Sequence, residues 1–235
     1  MSAPHANVAV LAIALVVSAL VALAFVWSGA WAYAALAQAT GHTETTVLLA
    51  DPHGDHVVET RADLGLLLDW HRGWVAYVTG ASADPPRRFG SGPVFTADES
   101  AHMADVRNVF AGAKLAGLLA LAVAGFRLYR ARRERRALRL VRDAALVAAG
   151  IVALVGAALA LAFEPLFLLF HEAFFPQGNF LFDPATSNLL RLYPAWYWEG
   201  VTAAVAGSFE VLALVSAGVA QIALRRDSTT YTRAA

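Results

Sequence analysis

The chain has 235 residues, 58% of them hydrophobic and 15% charged, with 18 basic residues balancing 18 acidic ones. A mean hydropathy of +0.54 makes a membrane the expected solvent, and zero net charge gives no whole-chain argument for a nucleic-acid partner. The absence of cysteine excludes disulfides, thiolate metal ligands and a cysteine acyl-enzyme.

Four apolar stretches, 7–32, 106–128, 143–163 and 201–224, each supply the roughly 20 residues needed to cross a hydrocarbon core. Their main-chain groups must be satisfied internally, so all four are predicted helices. The expected fold is an all-α transmembrane four-helix bundle with a small extracytoplasmic α+β cap domain. In chain order, residues 1–37 carry the first membrane helix, 38–104 the cap, 105–128 the second helix and 129–142 an Arg-rich cytoplasmic loop. Residues 143–163 carry the third helix, 164–200 a second extracytoplasmic loop at the membrane interface, 201–224 the fourth helix and 225–235 a cytoplasmic tail. Ala35, Ala37 and Ala39 offer a small-residue cleavage pattern. No Lys or Arg precedes the first apolar run, however, and the run is too long for a signal peptide, so it is expected to stay.

Orientation follows from Arg127, Arg130, Arg132, Arg133, Arg135, Arg136, Arg139 and Arg142, which the positive-inside rule puts in the cytoplasm. Both termini are then cytoplasmic, in keeping with Arg225, Arg226 and Arg233, and the two long loops lie outside. The arginines are expected to anchor topology and to touch anionic lipid heads.

Within the cap, segments 44–50 and 56–60 are β-prone and separated by Asp51-Pro52-His53-Gly54-Asp55, a turn composition that predicts a hairpin. From a Thr60 cap, Leu64, Leu67, Leu68, His71, Val75 and Val78 recur at helical spacing, and Gly80 marks the end. Residues 81–93 read as a turn-rich link. Thr96-Ala97-Asp98-Glu99 forms a capping box for a helix that continues through His102 and Asp105 into the second span. His102 then has Glu99 and Asp105 at i−3 and i+3, either of which can orient its imidazole. The bland alternative is an interfacial histidine bonded to a loop carbonyl. His53 and His56 have a spacing that metal sites use, but an exposed turn is the expected setting.

The second loop opens at Glu164-Pro165 and is rich in phenylalanine, so it is expected to lie in the interface. His171 is its one imidazole, with Glu164, Glu172 and Asp183 near in sequence and Gln177 and Asn179 as neutral hydrogen-bonding groups. Tyr193-Pro194-Ala195-Trp196-Tyr197-Trp198 then forms an aromatic belt before the last helix. The G-x-S-x-G, Walker, H-E-x-x-H and Rossmann patterns are missing, so the common hydrolase, nucleotide and zinc-protease readings lack their signatures.

Two segments, Glu99-Ser100-Ala101-His102-Met103-Ala104-Asp105-Val106-Arg107 and Phe170-His171-Glu172-Ala173-Phe174-Phe175 with Asn179 to Pro184, together resemble the lipoprotein intramolecular transacylases, a bacterial family of four-span membrane proteins. The hydropathy plan agrees over nearly the whole chain, while the specific motifs are confined to these two segments. Pro176-Gln177-Gly178 departs from the family pattern and leaves the shape of that turn open.

The resemblance implies transfer of the sn-2 acyl chain of an S-diacylglyceryl cysteine to that cysteine's α-amine. The product is an N-acyl lyso-lipoprotein, the partners are a diacylated lipoprotein and membrane lipids, and no cofactor or metal is needed. Holding amine and ester of one molecule together can lower the barrier by about 7 to 11 kcal/mol. The amine, with a reference pKa of about 7.7 to 8.0, then needs a base that supplies about 10² to 10⁴-fold. His102, oriented by Glu99 or Asp105, is expected to take the amine proton while His171 stabilises the oxyanion or protonates the departing glyceryl oxygen, or the two exchange roles. Arg107 is expected to hold a carboxylate or lipid oxygen, Asn179 to donate to the oxyanion, and Asp183 to contact substrate. The competing readings are a non-enzymatic membrane scaffold or sensor, and a metal-dependent lipid hydrolase using His102, His171 and His53.

Overall fold

The computed structural model describes residues 3–50, 57–86, 94–134 and 136–233. In chain order its elements are α1 (Ala3–Trp27), α2 (Ala30–Thr40), β1 (Glu44–Ala50), β2 (Val57–Asp63), α3 (Leu64–Val78), α4 (Ala97–Arg133), α5 (Ala137–Leu161), α6 (Phe163–Phe174), α7 (Asn188–Leu192) and α8 (Ala195–Arg233). Among the described residues, four helical stretches are long and apolar enough to cross a membrane: His5–Trp27, Ala97–Arg133, Ala137–Leu161 and Ala195–Arg226. The chain divides into two compact units, one of Met1–Ala24, Ala113–Leu161 and Ala203–Ala235, the other of Phe25–Gly112 and Ala162–Thr202.

The first unit packs on small residues. Ala12, Ala14, Ala124, Ala144, Ala148, Ala149 and Ala213 are buried with Leu11, Val152 and Phe209, the pattern by which helices in lipid bring their backbones close. Gly117 of α4 lies so near α1 that a Cβ there would stand 3.0 Å from Val21 Cγ1. Large apolar side chains such as Leu118, Leu119, Leu154 and Val211 face outward, as a lipid-facing surface requires. The arginine segment expected as a loop over 129–142 is mostly helix, since α4 runs to Arg133 and α5 starts at Ala137. Arginine is a good helix former, and in the last turn of α4 it opposes the helix dipole.

The second unit holds a two-stranded antiparallel sheet with Glu44 opposite Asp63 and Ala50 opposite Val57; the expected turn Asp51–Asp55 lies outside the described residues. Thr60 does not cap a helix. It pairs with Val47 in the sheet, and the strand continues to Asp63, whose side chain accepts the Leu66 N–H at 2.9 Å to start α3. Aspartate is the stronger N-cap, so the later of the two candidates sets the boundary. Trp70 and Trp74 of α3 are fully buried against Phe95, Val47, Ala62 and Leu192.

The first apolar run is two helices, with Ser28 and Gly29 between them. In an unbroken helix the Ser28 carbonyl would take the Ala32 N–H, but here that N–H bonds Gly29 O at 2.9 Å. The freed Ser28 carbonyl accepts from His71 Nε2 at 3.0 Å. Because a carbonyl only accepts, the neutral ring carries its proton on Nε2, and Nδ1 accepts from Tyr193 Oη at 3.0 Å. Tyr33 lies 4.9 Å from the imidazole and donates to Leu192 O. Full burial pushes His71 down to about 4, with the Ser28 hydrogen bond acting in the opposite sense.

The start of α4 is fixed by a capping box, with Thr96 N donating to Glu99 Oε2 at 2.7 Å and Glu99 N to Thr96 Oγ1 at 3.1 Å. Glu99 is 1% exposed, and its Oε1 also accepts from Ser187 Oγ at 2.6 Å and Leu189 N at 2.7 Å. Beside it, buried Asn188 donates to Leu48 O and Val94 O and accepts from Leu48 N, tying α7 to β1.

Two outcomes are expected. Glu99→Ala strands buried donors on α7 and lowers stability by about 3 kcal/mol or more, with Glu99→Gln costing less; equal melting temperatures in detergent for wild type and both variants would contradict this. His71 has a folded pKa below its unfolded value, so the unfolded chain binds the extra proton. Stability is therefore full above about pH 6.5 and falls as pH drops toward 4, by about 3 kcal/mol in all. Melts at pH 7.5 and 5 should show a shallower pH dependence for His71→Gln than for wild type, and an unchanged slope would remove His71 as the cause.

Candidate active site

The second unit brings α4 and α6 together around two imidazoles. Helix α6 starts where Ala162, at φ −146° and ψ 51°, ends the preceding helix. Pro165 sits in its first turn, where no N–H is needed, and Glu164 faces the positive end of the dipole. His171 falls in its last turn. His102 lies in the opening turns of α4, ahead of the run that is poor enough in charge for hydrocarbon, which begins after Asp105.

The two rings stand 6.0 Å apart between centroids, at 19° to each other. Phenylalanines flank them: Phe175 and Phe182 at 4.7 and 5.6 Å from His102, and Phe167 and Phe180 at 4.3 and 5.3 Å from His171. His171 Nδ1 donates to Phe167 O at 2.8 Å, which places the proton of the neutral ring on Nδ1 and leaves the Nε2 lone pair free. His102 is 6% exposed, and its Nδ1 has no hydrogen-bond partner among the described residues. Burial, and then the neighbouring His171, hold its pKa down at about 4, against the Asn179 amide and the Asp105 carboxylate. The ring is therefore neutral near pH 7.

Asp105 binds the loop after α6. Its Oδ2 accepts from Gln177 Nε2 and Asn179 Nδ2, both at 2.7 Å. Gly178 closes the turn by donating to Phe175 O at 3.0 Å, and its φ of 77° is one that a residue without a Cβ adopts freely. Pro176-Gln177-Gly178 thus forms a compact turn that presents neighbouring amides to one carboxylate. Asn179 Oδ1 is buried and unpartnered.

The other residues singled out from the sequence are committed elsewhere. The expectation that Glu99 orients His102 gives way to its bonds with Thr96, Ser187 and Leu189, groups its carboxylate must satisfy because it is buried. Arg107 donates through Nη1 to Ser82 O and Ala83 O and stacks 4.7 Å over Tyr77, so it secures the segment after α3. Asp183 is exposed and accepts the Ala185 N–H on Oδ1 at 2.9 Å, an Asx turn leading toward α7. His53 and His56 lie outside the described residues. Among those described, no group of three or more His, Asp or Glu is arranged to hold a metal. Sequence reasoning did not foresee the Phe167 carbonyl; the signal available was a histidine in a last helical turn, within reach of the carbonyl four residues back.

The family model for "Lipoprotein intramolecular transacylase Lit" matches residues 76–198, more than half of the chain and a stretch that includes both imidazoles. No curated protein matches in sequence. Among solved structures, the in meso structure of the membrane integral lipoprotein intramolecular transacylase Lit from Bacillus cereus has a TM-score of 0.67 at 12% identity, covering 96% of this chain and 98% of that one. The same protein with a histidine-to-arginine mutation gives 0.66 at 10%, covering 97% and 94%, and with a histidine-to-alanine mutation 0.66 at 10%, covering 96% of each. Likeness at such identities speaks for the fold, and the family match speaks for the kind of enzyme. This chain belongs to the lipoprotein intramolecular transacylases, acyltransferases of the membrane that modify lipoproteins.

Proposed function

We propose that the enzyme moves the sn-2 acyl chain of an S-diacylglyceryl cysteine to the same cysteine's α-amine, with His171 as the base and His102 as the group that stabilises the oxyanion. The observation that carries this reading is the pair of imidazoles 6.0 Å apart, with His171 Nε2 left free by the bond to Phe167 O. This assignment reverses the first-named of the two role orders weighed from the sequence. A base oriented through its other nitrogen supports it, as does a neighbour whose low pKa keeps it a neutral donor.

The amine nitrogen attacks the ester carbonyl and forms the C–N bond while His171 Nε2 takes its proton. His102 donates a hydrogen bond to the developing oxyanion without giving up its proton, while the Asn179 amide is held by Asp105. Collapse breaks the ester C–O bond, and the sn-2 glyceryl oxygen leaves with the proton that His171 now carries. An ester becomes an amide, the proton count is unchanged, and each imidazole ends in its starting state. The buried Nδ1 of His102, without a hydrogen-bond partner among the described residues, is a group that a bound substrate would satisfy.

The same reading puts the site on the outer face of a bacterial cytoplasmic membrane, with residues 38–104 and 164–200 outside and both termini in the cytoplasm. The arginines at the α4–α5 connection support this through the positive-inside rule.

Product and substrate are isomers, so the test is fragmentation of the lipopeptide N-terminus after incubation with purified enzyme. His171→Ala is expected to lower the rate about 10² to 10⁴-fold and His102→Ala about 10² to 10³-fold, with melting temperatures showing that both variants fold. Normal rates of N-acyl product from either folded variant would refute its assigned role.

A further inference from the structure

A cavity of about 440 Å³ in the first unit is lined by Arg127 and Arg130 of α4, Glu134 and Arg136 of the α4–α5 connection, and Arg139 and Asp143 of α5, together with residues of α1. Its volume is in the range of small-ligand sites. Four guanidiniums face two carboxylates, and one of these, Asp143, is already paired with Arg142, which is not part of the wall. Glu134 is shared between Arg130 and Arg136. Arg127 is held by the Asn7 amide at 2.6 Å, so its position does not depend on a ligand. Arg139 is exposed and has no partner among the described residues.

A topology signal needs only positive charge near the ends of the spans, and a solvated arginine run would serve. Here the short connection between α4 and α5, closed by Arg136 N donating to Ala131 O at 2.8 Å, folds the charges around a hollow. The wall is also partly apolar, with Val8, Phe126 and Leu140 beside the arginines. A ligand matching both parts has an anionic phosphate head and an acyl tail.

We infer that this cavity is a binding site for the phosphodiester head of an anionic phospholipid. Guanidinium forks bind phosphate through paired charge-assisted hydrogen bonds, and basic pockets between membrane helices suit such heads. The phosphate chemistry is shared with soluble anions; the apolar part of the wall is what favours a lipid.

Native mass spectrometry of the full-length protein, released from detergent micelles after titration with phosphatidylglycerol, tests this. Wild type should retain a single phosphatidylglycerol at concentrations where phosphatidylcholine does not bind. Arg130→Gln with Arg139→Gln should weaken retention at least about tenfold, the loss expected for one hydrogen bond to a charged group. The charge-matched pair Arg132→Gln with Arg133→Gln, at residues outside the cavity wall, should leave retention unchanged. Both pairs should keep normal acyl transfer, and should the first pair fail to fold, Arg139→Gln alone carries the test with a smaller loss. Equal weakening by both pairs would reduce the effect to bulk charge and overturn the site. Retention of phosphatidylcholine equal to that of phosphatidylglycerol would also overturn it. Displacement of the lipid by an equal concentration of inorganic phosphate would assign the cavity to a soluble anion instead.

Discussion

The Glu99 carboxylate is buried and shared, taking the Thr96 N–H on one oxygen and the Ser187 hydroxyl and Leu189 N–H on the other. A charge of that kind is tolerated away from water only when its lone pairs are occupied, so the sequence around α7 must deliver donors to it. In return the carboxylate closes the capping box and sets the residue at which α4 begins. That register decides which face of α4 carries His102 and Asp105, three and six residues further on. Were α4 to start one residue later, its phase would turn by roughly 100°, and Asp105 would lose the loop it binds.

Asp105 is the second anchor, joining α4 to the turn after α6 through Gln177 and Asn179. Between these carboxylates the imidazoles sit among phenylalanine rings, and burial, with His171 alongside, keeps the His102 ring neutral near pH 7. A neutral donor at His102 and a free Nε2 at His171 suit an acyl shift that moves one proton out and back. The proposed chemistry thus asks little of the protein beyond orientation, a free lone pair and a donor for the oxyanion.

Much of this was legible in the chain. The four spans follow from apolar length, the start of α4 from Thr96 and Glu99, and the strand positions from β-prone runs flanking a turn composition. The division of α1 from α2 at Ser28 was not legible, because hydropathy counts carbons and does not sense a carbonyl required by an imidazole 43 residues away. The end of β2 was misjudged because Thr60 and Asp63 are both caps in principle, and the sheet register chooses between them. Glu99 and Asp105 flank His102 symmetrically in sequence. Only the donors on α7 and in the 177–179 turn tell them apart, and those are contacts across more than 70 residues.

The proposed reaction moves a particular acyl chain within a single substrate molecule. A diacylglyceryl lipopeptide with a deuterated sn-2 chain, mixed with an unlabelled lipopeptide of different sequence, tests this directly. After incubation and fragmentation, deuterium is expected on the α-amine of the labelled peptide alone. Deuterium that stays on the glyceryl group while an unlabelled chain moves, or that appears on the amine of the second peptide, would contradict it.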